Sequence, residues 1–332
     1  MRISQLLLPL SASVACVVGI TNSSYTIADN YNSTNFFNEF NFFTGQDPTG
    51  GFVDYQGEAP ANQSGLAGYS NGAIYLGVDH KTVNPAGGRN SVRVTSNKAY
   101  TKGLFIADIA HMPAGICGTW PAFWMFGPNW PNSGEIDIIE GVNMQASNSI
   151  TLHTSEGCSL DGTGSVASSV LASTDCTGNN GCSFKTADPL NFGTGFNAAG
   201  GGVYAMDWTS SAIAVYFFPR TSIPADITAG TPNPSGWGMP LARFSGSGCD
   251  IDSHFMNQNI VFDTTFCGQW AGQVWSNSTC AALAPTCNAY VGQNPSAFAG
   301  AYWLVNYVKV FQNSGMAKRH LGYIRPKLTP YM

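Results

Sequence analysis

Short segments in which polar and apolar residues alternate recur along most of the chain, and they constrain its fold more than any other feature. Residues 91–95 and 149–154 alternate strictly, 104–110 form an apolar run, 203–218 resemble two strands joined by a turn, and 302–311 form a last long strand. Successive side chains of a strand point to opposite faces, so such segments indicate sheets with one buried face. Because no apolar period of helical length is visible in the sequence, we predict an all-β protein.

The composition favours one large domain over two. Only 10% of the 332 residues are charged and 38 are glycine, which is typical of strands joined by irregular loops. No linker interrupts the middle of the sequence, although residues 155–202 and 219–248 are predicted to be long loops rich in Gly, Pro and Asn. We predict one sandwich of two packed antiparallel sheets, or jelly roll, over residues 20–314.

The two ends of the chain differ from this body. Residues 1–19 combine Arg2 with a broken apolar run and small residues, which is the pattern of a secretory signal peptide, and the run is too short to span a bilayer. Residues 315–332 carry four basic residues and no acid, and they are predicted to be a basic, disordered or cleavable tail. The protein is therefore expected to be secreted and extracellular, without membrane insertion.

Nine cysteines agree with an oxidising compartment. Cys16 falls in the predicted signal peptide, and the other eight form an even set that fits four disulfides. The spacings contain no paired CxxC knuckles, so the cysteines are not predicted to bind a metal. No cofactor is predicted for the chain. Eight cysteines allow about 105 pairings, and a local bridge between Cys280 and Cys287 is one plausible choice. Four Asn-X-Ser/Thr sequons also agree with secretion: Asn22, Asn32, Asn62 and Asn277.

The net charge of the chain limits the classes of molecule that it can bind. The chain has a formal net charge of −5, and removing Arg2 and the four basic residues of the tail leaves a body near −10. Such a body repels nucleic acids and anionic membranes, whereas a neutral polysaccharide is compatible with it. We therefore predict neither a nucleic-acid nor a membrane partner.

Three acids within six residues form the densest chemical signal in this weakly charged chain. Glu135 and Asp137 share one face of a predicted strand, but Glu140 follows at an odd step and would point into the core. An unpaired carboxylate is costly there, and residues 138–139 break the alternation at the same place. One extra residue, a β-bulge, returns Glu140 to the face of the other two acids, and bulges are common beside active sites.

Two carboxyl groups about 5–5.5 Å apart can carry out retaining hydrolysis of a glycosidic bond, one as nucleophile and one as acid/base. Asp137 between them can hydrogen-bond the nucleophile and help to separate their protonation states. Two other interpretations stay open from the spacing alone. The acids could line a solvated strand face, or they could bind calcium.

Several motifs, in the order in which they occur here, resemble glycoside hydrolase family 16, in particular its fungal laminarinase or endo-1,3(4)-β-glucanase branch. Residues 134–141 carry the E-x-D-x-x-E signature of that family in its bulged form. The other motifs extend the resemblance over roughly residues 25–312: RNSVR at 89–93, GTWPAFW at 118–124, LHTSEGC at 152–158, CGQWAG at 267–272 and WLVNYVKVF at 303–311.

The resemblance implies a β-jelly roll with an open substrate cleft on its concave face. It implies that Glu135 is the nucleophile, Glu140 the acid/base and Asp137 an assisting acid in a retaining enzyme that cleaves β-1,3 and mixed-linkage glucans. The expected partner is β-glucan, bound by a monomer. The implied substrate contacts are Trp124, Trp130, Trp270, His153 and Arg89.

Tryptophans suit a neutral sugar because an indole face can pack on the apolar C–H face of the ring. Trp124 and Trp130 flank a stiff Gly-Pro-Asn loop and are expected to be such platforms, whereas Trp120 is expected in the core. Two other functions stay open: a wall-remodelling transglycosylase, which passes the same covalent intermediate to a sugar, and a glucan-binding protein without catalysis. The bulged motif favours hydrolysis, and the three intact acids argue against a silent protein.

Overall fold

The structure is a computed structural model that describes residues 25–113, 115–161 and 166–313. The predicted signal peptide (1–19), Cys16, Asn22 and the basic tail (315–332) lie outside the described residues, so these assignments stay predictions. Within the described ranges, no helix is long and apolar enough to cross a membrane.

Strands are the main regular element, and every helix in the described ranges is short. The strands are β1 Tyr25–Asn32, β2 Phe40–Phe42, β3 Val53–Tyr55, β4 Ala67–Ser70, β5 Ala73–Leu76, β6 Arg89–Ser91, β7 Arg93–Tyr100, β8 Gly103–His111, β9 Thr119–Phe126, β10 Glu135–Glu140, β11 Ser149–His153, β12 Ser169–Ser173, β13 Cys182–Thr186, β14 Gly202–Trp208, β15 Ile213–Pro219, β16 Ala242–Phe244, β17 Gln258–Phe266 and β18 Trp303–Asn313. The α-helices are α1 Phe36–Glu39, α2 Glu58–Gln63, α3 Gly193–Ala198, α4 Ala225–Thr228, α5 Ile251–His254 and α6 Cys287–Gln293. Single 3-10 turns lie at Pro189–Asn191, Arg220–Ser222, Pro234–Gly236, Trp275–Asn277, Thr279–Ala282 and Pro295–Phe298, and Gly268–Gly272 is a π-helical turn.

Two large antiparallel sheets form a sandwich. The first, here called the acid-bearing sheet, has the strand order β12-β13-β11-β10-β9-β17-β7-β2. The opposite sheet has the order β16-β15-β14-β8-β18-β5-β4, and β1 also pairs with β18. A separate parallel pair joins β3 and β6. The predicted all-β jelly-roll sandwich is confirmed.

The core lies between the sheets, because each strand directs alternate side chains inward. In the acid-bearing sheet, Phe123 stacks on Phe262 with ring centroids 4.4 Å apart. The ring of Phe262 also meets the edge of Trp303, from the opposite sheet, at 5.5 Å. Trp208 of the opposite sheet is fully buried as well. The outer face of the acid-bearing sheet is therefore left to carry polar groups.

Both segments predicted to be long loops are partly sheet. Residues 219–248 contain α4 and the short strand β16, which pairs with β15 at the edge of the opposite sheet. Residues 155–202 contain β12, β13 and α3, and the two strands extend the acid-bearing sheet beyond β11. The five residues of β12 alternate only between half-buried and exposed positions. An edge strand with so little buried surface carries a weak apolar pattern, which explains why the sequence did not predict it.

The eight cysteines of the described residues pair as four disulfides, as predicted: Cys117–Cys280, Cys158–Cys249, Cys176–Cys182 and Cys267–Cys287. The suggested local bridge between Cys280 and Cys287 is wrong. Cys280 instead pairs with a residue 163 positions away in the chain, which joins two loops at one end of the sandwich.

Candidate active site

The β-bulge predicted in the acid strand lies at Ile138. Along the ladder between β9 and β10, Asp137 is opposite Trp124, and the next paired residue is Ile139, opposite Phe123. Ile138 is therefore the extra residue on β10. The prediction of a bulge at residues 138–139 is confirmed.

Packing explains why the bulge forms at this point. Ile138 and Ile139 are both at most 1% exposed and belong to the core between the sheets. A regular strand cannot direct two consecutive side chains to one face, so both can pack inward only where the alternation is broken. Glu140 then falls opposite Ala122, two residues from the partner of Asp137. The acids of β10 thus share the outer face.

Asn148, which sequence reasoning missed, satisfies the backbone of the bulge. Strand β10 pairs with β11 only from Glu135 to Asp137. Beyond this point the backbone of β10 has no strand partner on the β11 side, although it still pairs with β9. The Oδ1 atom of Asn148 accepts from the Glu140 amide at 2.8 Å, and its Nδ2 donates to the Ile138 carbonyl at 2.8 Å. A buried side chain thus takes the place of a neighbouring strand and holds the backbone of Glu140.

Replacing Asn148 by alanine should lower the free energy of unfolding by about 2–5 kcal/mol, because a buried amide and a buried carbonyl both lose their partners. Catalytic activity should fall with it, since the backbone of Glu140 is no longer held. Denaturant unfolding checks the first effect. The matched control is Asn41→Ala, at an exposed position of β2. An Asn148→Ala variant as stable as this control would contradict the role of Asn148.

Two tryptophans donate hydrogen bonds to the two glutamates. The Nε1 atom of Trp120 donates to Oε1 of Glu140 at 2.7 Å, and Nε1 of Trp130 donates to Oε2 of Glu135. The expectation that Trp120 lies in the core is wrong. It is half-buried on the outer face of β9, and its ring meets the edge of Trp270 at 5.6 Å.

His153 lies between Asp137 and a backbone carbonyl. In the ladder between β10 and β11, His153 is opposite Glu135. Its Nε2 is 3.2 Å from Oδ2 of Asp137, and its Nδ1 is 2.8 Å from the carbonyl oxygen of Gly178. A carbonyl only accepts, so Nδ1 carries a proton, and the facing carboxylate favours a second proton on Nε2.

The charges of this cluster shift three pKa values. Burial works against the charge of His153, but the hydrogen bond to Asp137 and the charges of Asp137 and Glu135 raise its pKa to about 10. Burial and the charge of Asp137 raise the pKa of Glu135, and the same two causes raise the pKa of Glu140. The site therefore retains carboxyl protons at a pH at which exposed glutamates are ionised.

Trp124 lies beside the acids, as expected, but an arginine side chain of the protein packs on its ring. It is half-buried opposite Asp137, and the guanidinium of Arg93 lies 4.8 Å from its ring centroid. Arg93 is opposite Asp263 in the ladder between β7 and β17, and burial raises the pKa of Asp263 to about 7. This buried polar pair, which sequence reasoning also missed, extends the polar face beyond β9.

Trp130 and Trp270 lie at the two ends of the row of acids. Trp130 is 42% exposed and bonds the first acid, whereas Trp270 packs on the tryptophan that bonds the last one. The disulfide Cys267–Cys287 joins the start of the Gly268–Gly272 turn, which carries Trp270, to α6. An aromatic ring therefore lies at each end of the row of acids.

Arg89 is not accessible to a substrate, and the contact expected for it is wrong. Its side chain is 0% exposed, and the guanidinium donates to the Val291 carbonyl at 3.1 Å and to Oδ2 of Asp79 at 3.0 Å. The same group lies 5.0 Å from the ring centroid of Phe298. Arg89 therefore joins neighbouring loops and forms an ion pair with Asp79.

The oxygen and nitrogen ligand atoms of Glu135, Asp137 and His153 lie within 4.8 Å of one another. A transition-metal ion held by all three side chains would need a free imidazole nitrogen. Both nitrogens are occupied, one by Asp137 and the other by the Gly178 carbonyl. A charged imidazole already offsets the carboxylates, so the arrangement is suited to acid–base chemistry.

Comparison with known proteins places this geometry in a family. A family profile described as "XgeA-like, catalytic GH16 domain" matches residues 40–311. A probable endo-1,3(4)-beta-glucanase of Aspergillus fumigatus is 47% identical over 302 residues, which cover 88% of this chain and 46% of that protein. The chain thus spans about half the length of this curated relative.

Two solved structures share the fold at 42% sequence identity. One is Laminarinase 16A from Phanerochaete chrysosporium with 6-O-glucosyl-laminaritriose in both donor and acceptor sites, with a TM-score of 0.82 over 87% of this chain and 99% of that chain. The other is an elongating GH family 16 beta-1,3-glucosyltransferase, with a TM-score of 0.81 over 87% of this chain and 100% of that chain. The family match covers nearly all of the described sandwich, and the chain therefore belongs to glycoside hydrolase family 16 as an XgeA-like catalytic domain.

Proposed function

We propose that this chain is a retaining endo-1,3(4)-β-glucanase in which Glu135 is the nucleophile, Glu140 the acid/base and Asp137 the assisting acid. The bulge at Ile138 carries the proposal, because it sets both glutamates on the outer face of one strand. Each glutamate also has its own indole donor, which stabilises the ionised form of that carboxyl group.

The reaction takes two steps at one anomeric carbon. Glu135 attacks this carbon and forms a covalent glycosyl-enzyme, while Glu140 gives its proton to the departing glycosidic oxygen. Glu140 then takes a proton from a water molecule, and the resulting hydroxide attacks the same carbon and releases Glu135. The carbon inverts twice, so the product keeps the β configuration.

The surroundings of the two glutamates favour this division of roles. Burial and the charge of Asp137 raise the pKa of both glutamates, and the charge of His153 and an indole hydrogen bond lower both. The pKa of Glu135, which is directly opposite His153, rises to about 8, whereas that of Glu140 is raised well above its usual value and keeps a proton available for the leaving group. The nucleophile is thus the glutamate next to the positive charge.

Trp130→Phe and Trp120→Phe should shift opposite limbs of the pH profile of kcat/KM. Each variant keeps an aromatic ring but loses an N–H that stabilises an ionised carboxylate, so the pKa of the bonded glutamate rises. Trp130→Phe should move the acidic limb, set by Glu135, to higher pH by about half a unit. Trp120→Phe should move the alkaline limb, set by Glu140, upward by a similar amount. A shift of the same limb in both variants would contradict the separate roles.

Two observations support β-glucan as the substrate class: the names of the relatives, and the net negative charge of the chain, which suits a neutral polymer better than an anionic one. The Aspergillus fumigatus relative is named an endo-1,3(4)-beta-glucanase, and Laminarinase 16A was solved with a branched β-1,3-glucan oligosaccharide. A negatively charged body must bind a neutral glucan by stacking and hydrogen bonds, and Trp124, Trp130 and Trp270 are placed to contribute these. Four disulfides agree with the proposal that the enzyme is secreted, and we propose that it acts as a monomer.

Hydrolysis of laminarin, barley mixed-linkage glucan and lichenan tests the proposed activity. An endo-acting enzyme should release a mixture of oligosaccharides from long chains at early times, and laminarin and the mixed-linkage glucans should both be cleaved. Release of glucose alone, or no new reducing ends on any of the three polymers, would contradict the proposal.

Glycosyl transfer is the second candidate function, because a structure at 42% identity is described as an elongating beta-1,3-glucosyltransferase. The two activities differ only in whether water or a sugar hydroxyl attacks the glycosyl-enzyme. Incubation with concentrated laminari-oligosaccharides separates them. A hydrolase increases the number of reducing ends, whereas a transferase lengthens part of the chains at a constant number.

A further inference from the structure

A disulfide-closed loop covers one side of the candidate active site. Cys176 and Cys182 are six positions apart, against 20, 91 and 163 for the other bridges of the described chain. The bridge therefore restricts the unfolded chain least, and its main effect is local. The loop is attached to the end of β11, since the Thr154 amide donates to the Cys176 carbonyl at 2.8 Å and the Gly178 amide donates to the Thr154 carbonyl at 2.9 Å.

The loop holds the ring of His153 on one side. The Gly178 carbonyl accepts from Nδ1 at 2.8 Å, and this contact directs Nε2 toward Asp137. At Gly181, a side-chain Cβ would lie 2.8 Å from the same Nδ1 and 2.5 Å from the Leu152 carbonyl oxygen. Only glycine at this position lets the loop close over the imidazole.

Within the described residues, the charged groups that interact with His153 lie on the other side of the ring. The titratable groups that interact with it are Asp137, Glu135 and Glu140, all on β10. The loop residues between the two cysteines are Thr, Gly and Asn, and none of them titrates. The imidazolium is therefore held by carboxylates on one side and by a carbonyl on the other, and its charge lowers the pKa of both glutamates.

We propose that the loop 176–182 is the positioning element of His153: it fixes the ring between Gly178 and Asp137 and thereby sets the pH range in which Glu135 is ionised while Glu140 keeps its proton. This inference rests on the roles proposed above for the two glutamates. In this proposal His153 and the loop act through Asp137 and the glutamates. If the loop releases the ring, the positive charge is lost and the pKa values of both glutamates rise.

Gly181→Ala and Gly65→Ala form a pair that separates the effect of contact with the ring from the effect of backbone strain. Their φ angles are 59° and 71°, so a side chain strains both positions alike. A Cβ at Gly65 meets nothing within 4 Å, whereas one at Gly181 would lie 2.8 Å from Nδ1 of His153 and 2.5 Å from the Leu152 carbonyl oxygen. On laminarin, Gly181→Ala should shift both limbs of the kcat/KM profile to higher pH by about one unit, as His153→Gln should, and Gly65→Ala should leave them in place.

Proton NMR titration of the imidazole signals provides a second readout that does not depend on catalysis. The His153 signal is the one missing from His153→Gln. It should stay in the charged form through neutral pH in the unmodified protein and lose its proton at lower pH in Gly181→Ala. The double variant Cys176→Ser/Cys182→Ser should behave like Gly181→Ala, and it serves as the test if Gly181→Ala does not fold.

Equal His153 titrations and equal pH profiles in the two alanine variants would overturn the inference. So would an unchanged His153 titration in both Gly181→Ala and the double cysteine variant. Failure to cleave any glucan would instead overturn the proposed function. The NMR titration would then still show whether the loop holds His153 in its charged form.

Discussion

A Glu135→Gln variant should lose laminarin hydrolysis by a factor of about 10⁴ or more in kcat, because the amide cannot form the covalent glycosyl-enzyme. The fold should be kept. Burial raises the pKa of the Glu135 carboxyl, so its ionised form costs stability as the pH rises through that pKa, and a neutral amide of the same shape removes this cost. The thermal midpoint at neutral pH should therefore be unchanged or higher.

The control for this prediction is Glu58→Gln, an exposed glutamate on α2. Its rate and melting temperature should both match those of the unmodified protein. A Glu135→Gln variant that hydrolyses laminarin at the normal rate would remove Glu135 from the mechanism. A variant that loses activity only because it unfolds would show up in the thermal melt.

A Glu140→Gln variant should lose about 10²–10⁴-fold in kcat on laminarin, since a glucan leaving group needs a proton. The aryloxide group of an activated aryl β-glucoside can leave with little protonation. The first step on this substrate should therefore be slowed much less than the first step on laminarin. A burst of the released phenol followed by slow turnover is expected, because hydrolysis of the glycosyl-enzyme still lacks its general base. Equal losses of the burst rate and the laminarin rate would contradict the assignment of Glu140 as the acid.

The fold could be predicted to a large extent from local patterns of apolar residues. Strands β8, β14 and β15 were visible as apolar segments, because most of their residues are buried on both faces, and β18 was visible because it directs one face into the core. Strand β12 was not visible, since it lies at a sheet edge and buries little. The pairing of the cysteines was also out of reach, because it depends on which loops meet at the ends of the sandwich.

The bulge in the acid strand could be predicted because strict alternation cannot place two consecutive isoleucines in the core and all three acids on the outer face. A bulge at Ile138 resolves the conflict, and the structure has it there. The support for the bulge could not be predicted in the same way. Asn148 lies eight residues beyond Glu140, and only the end of the β10–β11 ladder brings its amide to the unpaired backbone. The signal that the sequence offered was Asn148 itself, a polar residue directly before strand β11.

The errors at single residues have a common cause. Arg89 and Trp120 were judged by residue type and motif, without knowledge of which face of the strand each occupies. Arg89 is buried on β6, outside the two large sheets, and bonds neighbouring loops, whereas Trp120 lies on the outer face of β9 beside Glu140. In a sandwich, strand register decides whether a side chain belongs to the core or to the site.

Azide rescue tests the central assignment most directly, because azide takes the place of the missing group and the configuration of the product identifies that group. In Glu135→Ala, azide should attack the activated aryl glucoside itself and give the α-glucosyl azide. In Glu140→Ala, azide should attack the glycosyl-enzyme and give the β-glucosyl azide. The anomeric coupling constants in proton NMR distinguish the two products. An α-azide from Glu135→Ala and a β-azide from Glu140→Ala are the predicted results, and the opposite pair would contradict the account.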